Sequence, residues 1–184
     1  MQDLTDLIDQ CIEGDRKAQR ELYDYLKGRL MGICKRYHAN QEDCNDVFQE
    51  SMVRLFKNLN KAKEANDFNA WTSRITINVA IDAYKRRKKN EMVALEESEA
   101  WQFSADDLSA LEKMNAEDVV VLLHELPENQ RITFNMFIDG YSHKEIAGEL
   151  GIVESSSRTL LTRAKKRMVV LLKKRESEEG VYGR

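Results

Sequence analysis

The stretch Ser142-His-Lys-Glu-Ile-Ala-Gly-Glu-Leu-Gly-Ile-Val-Glu154 decides how the C-terminal part of the chain folds. Ser142 with Glu145 three residues on is a capping box, in which each side chain satisfies a backbone N–H that the first helical turn leaves bare. Ile146, Ala147 and Leu150 follow at helical spacing and form one apolar face. Gly151 supplies the positive φ of a tight turn, and Ile152 plugs the angle between two helices. Ala147 is small where the second helix must cross closely. In that second helix Leu161, Ala164 and Met168 recur at i, i+3 and i+7 and face the core. Ser155, Ser156, Arg158, Thr159, Thr162 and Arg163 remain for the outward side. Short hydroxyls and arginines suit phosphates and base edges in a major groove, so the segment reads as a DNA-binding helix-turn-helix. The alternative is a plain helical hairpin with a solvated basic face; the cap, the turn and the small crossing residue together favour the DNA reader.

Upstream, Val119, Val120, Leu122 and Leu123 lead to Pro127, which suits the first turn of a further helix ended by Gly140. With one proline and eight glycines among 184 residues, the chain runs long distances without a breaker. Leu, Ile, Met, Glu, Lys and Arg fill those stretches, so the fold class is all-α. The expected organisation is a helical domain over 1–90, a flexible acidic linker over 91–115, a second helical domain over 116–176 and a disordered tail over 177–184. In the first domain Leu4, Leu7, Ile8 and Cys11 open a helix that Gly14 breaks, and Asp15 can cap the next. That next helix carries Ala18, Leu22, Tyr25, Leu26, Leu30 and Ile33. Two more helices are expected, from about Glu42 to Leu59 and from about Phe68 to Lys89.

No apolar run approaches the ~20 residues of a membrane span, and the acidic N-terminus is unlike a signal peptide, so a cytoplasmic protein is expected. Cys11, Cys34 and Cys44 form no paired framework. Cys34, His38 and Cys44 match no metal-ligand spacing and lack a fourth ligand, so they read as packing residues; no metal or cofactor is expected. The net charge of −3 argues against nucleic acid only as an average. Lys85, Arg86, Arg87, Lys88 and Lys89 make one basic run, and 158–175 is basic without an acidic residue. Between them 91–128 is strongly acidic, with Lys113 its one cation. Two nucleic-acid contacts flanking a segment that avoids or mimics nucleic acid fit this sorting.

From Asp43 to Leu59, Phe48, Met52, Leu55, Phe56 and Leu59 share one helical face. Asp46, Gln49, Glu50, Val53 and Lys57 share the other, which fits a protein partner and an ordinary solvated surface equally well. In the following helix Trp71, Arg74, Asn78, Asp82 and Lys85 form one stripe with Phe68 just ahead, and Ile75, Thr76, Val79 and Ala83 turn inward. An aromatic, an amide and cations on one open stripe match the needs of unstacked single-stranded bases. A Trp71 placed in the core is the competing reading.

Taken together, Asp43 to Leu59 and Asp67-Phe-Asn-Ala-Trp-Thr-Ser-Arg-Ile-Thr-Ile-Asn-Val-Ala-Ile-Asp-Ala-Tyr-Lys-Arg-Arg87 resemble region 2 of extracytoplasmic-function sigma factors. Leu126-Pro-Glu-Asn-Gln-Arg131 through Arg163-Ala-Lys-Lys-Arg167 resembles their region 4. The resemblance implies that Asp43, Asp46, Gln49 and Glu50, with Val53 beside them, dock on the clamp coiled coil of core RNA polymerase. It implies that Phe68, Trp71, Arg74, Asn78, Asp82, Lys85 and Arg86 lie in the segment that opens the −10 promoter element. The last helix would read the −35 element, the linker would pass near the active-site and RNA-exit channels, and an anti-sigma protein is an expected partner. The family has no catalytic residues. Three positions depart from its pattern: Ser157 where an aliphatic is usual, Leu160 where an arginine is frequent, and Val153 where a capping Ser or Thr is common. A buried Ser157 would weaken the packing under the reading helix unless its hydroxyl found a backbone carbonyl.

Two other functions fit parts of the sequence. A stand-alone helix-turn-helix regulator needs neither the Trp71–Asn78 stripe nor the basic run after it. A helical enzyme built on Asp43, Asp46 and Glu50 would want Glu-x-x-His pairs on several helices, and none of the three histidines sits so.

Overall fold

The structure, a computed structural model, describes residues 4–88 and 115–182. Every regular element among them is helical, as composition and periodicity require. The chain divides into two compact units, Met1–Arg87 and Lys88–Arg184. The acidic linker expected over 91–115 lies outside the described residues except for Asn115, which caps the helix Ala116–His124.

The first unit holds α1 (Leu4–Ile12), α2 (Arg16–Tyr37), α3 (Gln41–Lys57), a 3₁₀ segment (Leu59–Glu64) and α4 (Phe68–Lys88). Gly14, at φ 91°, makes the turn out of α1. The Asp15 carboxylate then accepts from the Lys17 and Ala18 N–H groups at 2.7 and 2.9 Å, which starts α2. Leu22, Leu26, Leu30, Cys34 and Tyr37 of α2 are fully buried, and α3 brings Val47, Phe48, Met52 and Leu55 against them. Tyr25 does not join this row: it stays half-exposed, and its hydroxyl lies 3.5 Å from Asn69 Oδ1. A phenol at the edge of the apolar stripe can keep its polar end wet. The helix expected to reach Leu59 tightens to 3₁₀ after Asn58, whose side chain donates to the Arg54 carbonyl at 2.8 Å.

Asp67 caps α4, accepting from the Asn69 and Ala70 N–H groups. The buried side of α4 is unusually polar, with Thr72 and Thr76 fully enclosed. Their hydroxyls are satisfied: Arg29 donates to Thr72 Oγ1 at 2.6 Å, and Thr76 donates to the Thr72 carbonyl at 3.1 Å. Burial holds the Arg29 guanidinium below its ordinary pKa, with the nearby Tyr25 and Asp67 working against that shift. His38, at the end of α2, is buried with Nε2 3.2 Å from the Ala80 carbonyl and Nδ1 3.4 Å from Arg87. It therefore pins the C-terminal half of α4. Cys34 and Cys44 are buried beside it. Burial, with Cys44 nearby, pushes the Cys34 thiol up to about 12, and the Cys44 thiol donates to the His38 carbonyl at 3.2 Å.

The second unit holds α5 (Ala116–His124), α6 (Glu128–Ile138), α7 (His143–Leu150) and α8 (Glu154–Tyr182). Asn115 caps α5 by accepting from the Asp118 N–H at 2.9 Å. Pro127 sits at the N-cap of α6, one position earlier than a first-turn proline. Leu122, Leu123, Leu126, Phe134, Leu161, Ala164, Met168 and Leu172 form one core cluster. An ion pair between Arg175 and Asp118 ties α8 to α5. The tail expected to be disordered from 177 is helical to Tyr182. No proline interrupts it, and Ser177 bonds back to the Lys173 carbonyl at 2.8 Å.

Candidate nucleic-acid interfaces

The outward side of α4 is open. Arg74 and Asn78 are exposed, while Phe68, Trp71, Asp82 and Lys85 are half-buried. The Phe68 and Trp71 rings lie 5.9 Å apart and tilted by 32°. Trp71, Ile75 and Asn78 share a concavity of about 240 Å³ with Arg54, Asn58 and Lys61 from the end of α3 and the turn after it. Its lining combines an aromatic and an aliphatic side chain with two amides and two cations. That combination can stack a flat ring, bond its edge and hold an adjacent phosphate. Helical periodicity does not join Arg54, Asn58 and Lys61, because α3 ends at Lys57 and Lys61 lies in the 3₁₀ segment.

Two of the stripe residues turn toward their neighbours. The Asp82 carboxylate receives Arg54 at 3.1 Å and lies 3.6 Å from Lys85 Nζ. Arg86 donates to Glu50 at 3.1 Å, and Glu50 also receives Arg54 at 2.6 Å. Arg87 pairs with Asp43. The carboxylates of α3 thus meet the cations of α4 across a groove lined by Asp43, Asp46, Val47, Glu50, Arg86 and Arg87. Partial burial alone would raise the Glu50 carboxyl; hydrogen bonds and charge from Arg86 and Arg54 outweigh it and hold it below the usual range. Beyond these pairs Asp46, Gln49 and Val53 stand exposed on α3, Val53 at 52%. A half-exposed valine framed by carboxylates is a surface that another protein can cover.

In the second unit both reciprocal bonds of the capping box are present: Ser142 N–H donates to Glu145 at 2.8 Å, and Glu145 N–H donates to Ser142 Oγ at 3.2 Å. Gly151 adopts φ 68°, ψ 32°, the left-handed conformation the turn requires. Ile146 and Ala147 are buried, and Leu161, Ala164 and Met168 face inward. Ser155 and Arg158 are exposed, and Ser156, Thr159, Thr162 and Arg163 are half-buried. Arg158 pairs with Glu154, and the Thr162 hydroxyl donates to the Arg158 carbonyl at 3.0 Å. Val153 stands 64% exposed and starts α8 through its carbonyl alone, which accepts from Ser156 and Ser157. Leu160 is buried, so it fills the core instead of extending the basic face. Ser157 is fully buried too, but its hydroxyl meets the His143 imidazole, not a carbonyl: Nδ1 lies 3.0 Å from Oγ.

Two helical units, one with an open aromatic–amide stripe and one with a helix-turn-helix, define a class of promoter-binding protein. Comparison with known proteins narrows it. The description "Sigma-70 region 2" matches residues 22–90, and "Sigma-70, region 4" matches residues 116–168. An ECF RNA polymerase sigma-E factor of Haemophilus influenzae is 26% identical, with 88% of this chain and 92% of that protein covered. SigW of Bacillus subtilis is 24% identical over 86% of this chain and 90% of its own. Among solved structures, CnrH in complex with the cytosolic domain of CnrY aligns over 91% of this chain and 95% of that one, at 22% identity and a TM-score of 0.48. The chain belongs to the extracytoplasmic-function sigma factors of the sigma-70 family. It is an alternative sigma factor that acts with core RNA polymerase and promoter DNA in transcription initiation; the stand-alone regulator is not favoured.

Proposed function

We propose that the first unit opens the −10 element and the second reads the −35 element. Trp71 stacks a base flipped out of the −10 non-template strand into the concavity beside it, and Asn78 reads its edge. Phe68, Arg74, Lys85 and Arg86 hold the flanking strand, and Asp82 sets the positions of Arg54 and Lys85. Asp43, Asp46, Gln49, Glu50 and Val53 dock on the polymerase clamp. Ser155, Ser156, Arg158, Thr159, Thr162 and Arg163 face the −35 duplex. The factor acts in the cytoplasm, forms no covalent intermediate and opens DNA with binding energy alone. The observation that carries this reading is the open stripe of α4, where exposed Asn78 lines one concavity together with Trp71 and Ile75.

Run-off transcription with sigma-free bacterial core polymerase and a library of promoters tests it. Specific transcripts that disappear selectively with Asn78→Ala are expected. Lys88→Ala should instead weaken binding evenly across sequences and lower its salt dependence. Equal, sequence-blind losses from both variants would count against the Asn78 role. An anti-sigma protein holding the chain inactive is a further part of this proposal. A pull-down from uninduced cells should recover an inhibitory partner, and recovery of core polymerase alone would remove that part.

A further inference from the structure

The two helices of the helix-turn-helix share a polar contact that apolar packing does not need. Ser157 is completely enclosed in the first turn of α8, close in sequence to the buried Leu160 and Leu161. Its hydroxyl lies 3.0 Å from Nδ1 of His143, the first residue of α7. The same imidazole stacks on Phe137 near the end of α6, ring centroids 5.6 Å apart and 28° from parallel. On α8, two turns beyond Ser157, Lys165 places its ammonium 5.1 Å from the Phe137 ring centre. One side chain therefore touches both of the other helices that meet at the reading head. Burial first, then the charges of Arg158 and Lys165, favour the neutral imidazole against the opposing pull of Glu154. A neutral ring keeps one lone pair and one N–H, which matches a hydroxyl that can donate or accept.

A helix packed only by aliphatics can roll by small angles at little cost, because dispersion contacts are non-directional. A hydrogen bond to an enclosed hydroxyl is directional, and leaving that hydroxyl unpaired is costly. We propose that His143 is a positioning residue of the recognition helix. Clamped between Ser157 and Phe137, it fixes the roll of α8 and so the registry in which Arg158, Thr159 and Arg163 meet base edges. Its loss lowers sequence discrimination at the −35 element more than affinity for DNA in general. This inference rests on the −35 assignment made above.

The test uses holoenzyme assembled from the full chain and duplexes selected by the wild type from a pool randomised at the −35 element. The discrimination ratio of selected over scrambled duplex is read together with the thermal melt. His143→Phe keeps a ring against Phe137 and removes Nδ1. It should lower the ratio about ten-fold, the order of one lost directional contact, while affinity for the scrambled duplex stays near wild type. His143→Asn, which places an amide near the Nδ1 position, should recover part of the ratio. Adding Ser157→Ala to His143→Phe should lower it no further, because either change alone already removes the contact, a coupling that a merely destabilising change does not produce. A ratio unchanged by His143→Phe, or losses that add in the double variant, would overturn the proposal. Arg163→Ala separates the two levels. If it lowers the ratio and His143→Phe does not, only the positioning role falls. If neither does, the −35 assignment falls as well.

Discussion

The two units hold the surfaces proposed to face DNA by opposite means. In the first, the surface is fixed by charges: Glu50 takes Arg54 and Arg86, Asp43 takes Arg87, and Asp82 takes Arg54 and Lys85. In the second, the start of the reading helix rests on apolar packing and on the neutral contact of His143 with Ser157, and its ion pair to α5, Arg175 with Asp118, lies farther along. On the proposed assignment, the difference follows from what each surface receives. A peeled single strand has no fixed shape, so cations that can exchange a carboxylate for a phosphate suit it. A duplex groove is rigid, and reading it needs side chains held in register.

The largest effect is expected at the single-strand surface. Trp71→Ala removes the stacking platform, worth about 1–3 kcal/mol per base. Promoter opening, followed as run-off transcript yield, should fall roughly ten-fold or more, with −35 binding unchanged. Unchanged yield would mean that Trp71 is only packing. Next comes Arg163→Ala in the second unit. Loss of one base-edge contact should reduce −35 discrimination by about 1–3 kcal/mol, measured by competition between selected and scrambled duplexes. Loss of affinity for both duplexes in equal measure would assign Arg163 to phosphate instead.

A smaller effect separates the units by salt. The pairs around Arg54 are partly exposed and surface pairs of this kind contribute about 0–1 kcal/mol. Arg54→Leu should lower the melting temperature of the chain by a few degrees at low salt, and the gap should narrow at high salt. The effect of His143→Phe on the same melt should not depend on salt. The smallest effect is with pH. The Glu50 carboxyl is held below its unfolded value of about 4.3, so its contribution is whole above that pH and is lost as pH falls toward the lowered value. His143 is also held low, from about 6.5. The fold therefore resists protonating it, and the second unit weakens as pH drops below that point. Hydrogen exchange followed residue by residue from pH 7 to 4 should show the α6–α8 region loosening first and the α3–α4 region later. The reverse order would contradict the contrast between the two units.

Much of this was legible in the sequence, for physical reasons. The Asp15 cap, the Ser142–Glu145 box, Gly140 and Gly151 act within a few residues, so spacing alone exposes them. The apolar faces of α2 and α3 follow from the 3.6-residue period. What escaped joins residues far apart in the chain. Nothing local announces that Arg86 meets Glu50, that His38 reaches Ala80, or that Ser157 meets His143. The period also misled where a residue is amphipathic: Tyr25 falls on the apolar stripe yet keeps its hydroxyl at the surface. Asn58 and Lys61 were hidden by the change from α-helix to 3₁₀, where the period no longer holds.

Fluorescence of 2-aminopurine substituted in the −10 non-template strand, recorded while holoenzyme is titrated to saturation, tests the division of labour most directly. With Arg163→Ala the curve should shift to higher concentration and still reach the wild-type plateau. With Asn78→Ala the plateau itself should drop at the promoters that depend on it. The same shift, or the same drop, from both variants would mean that the two units do not hold the separate tasks assigned to them.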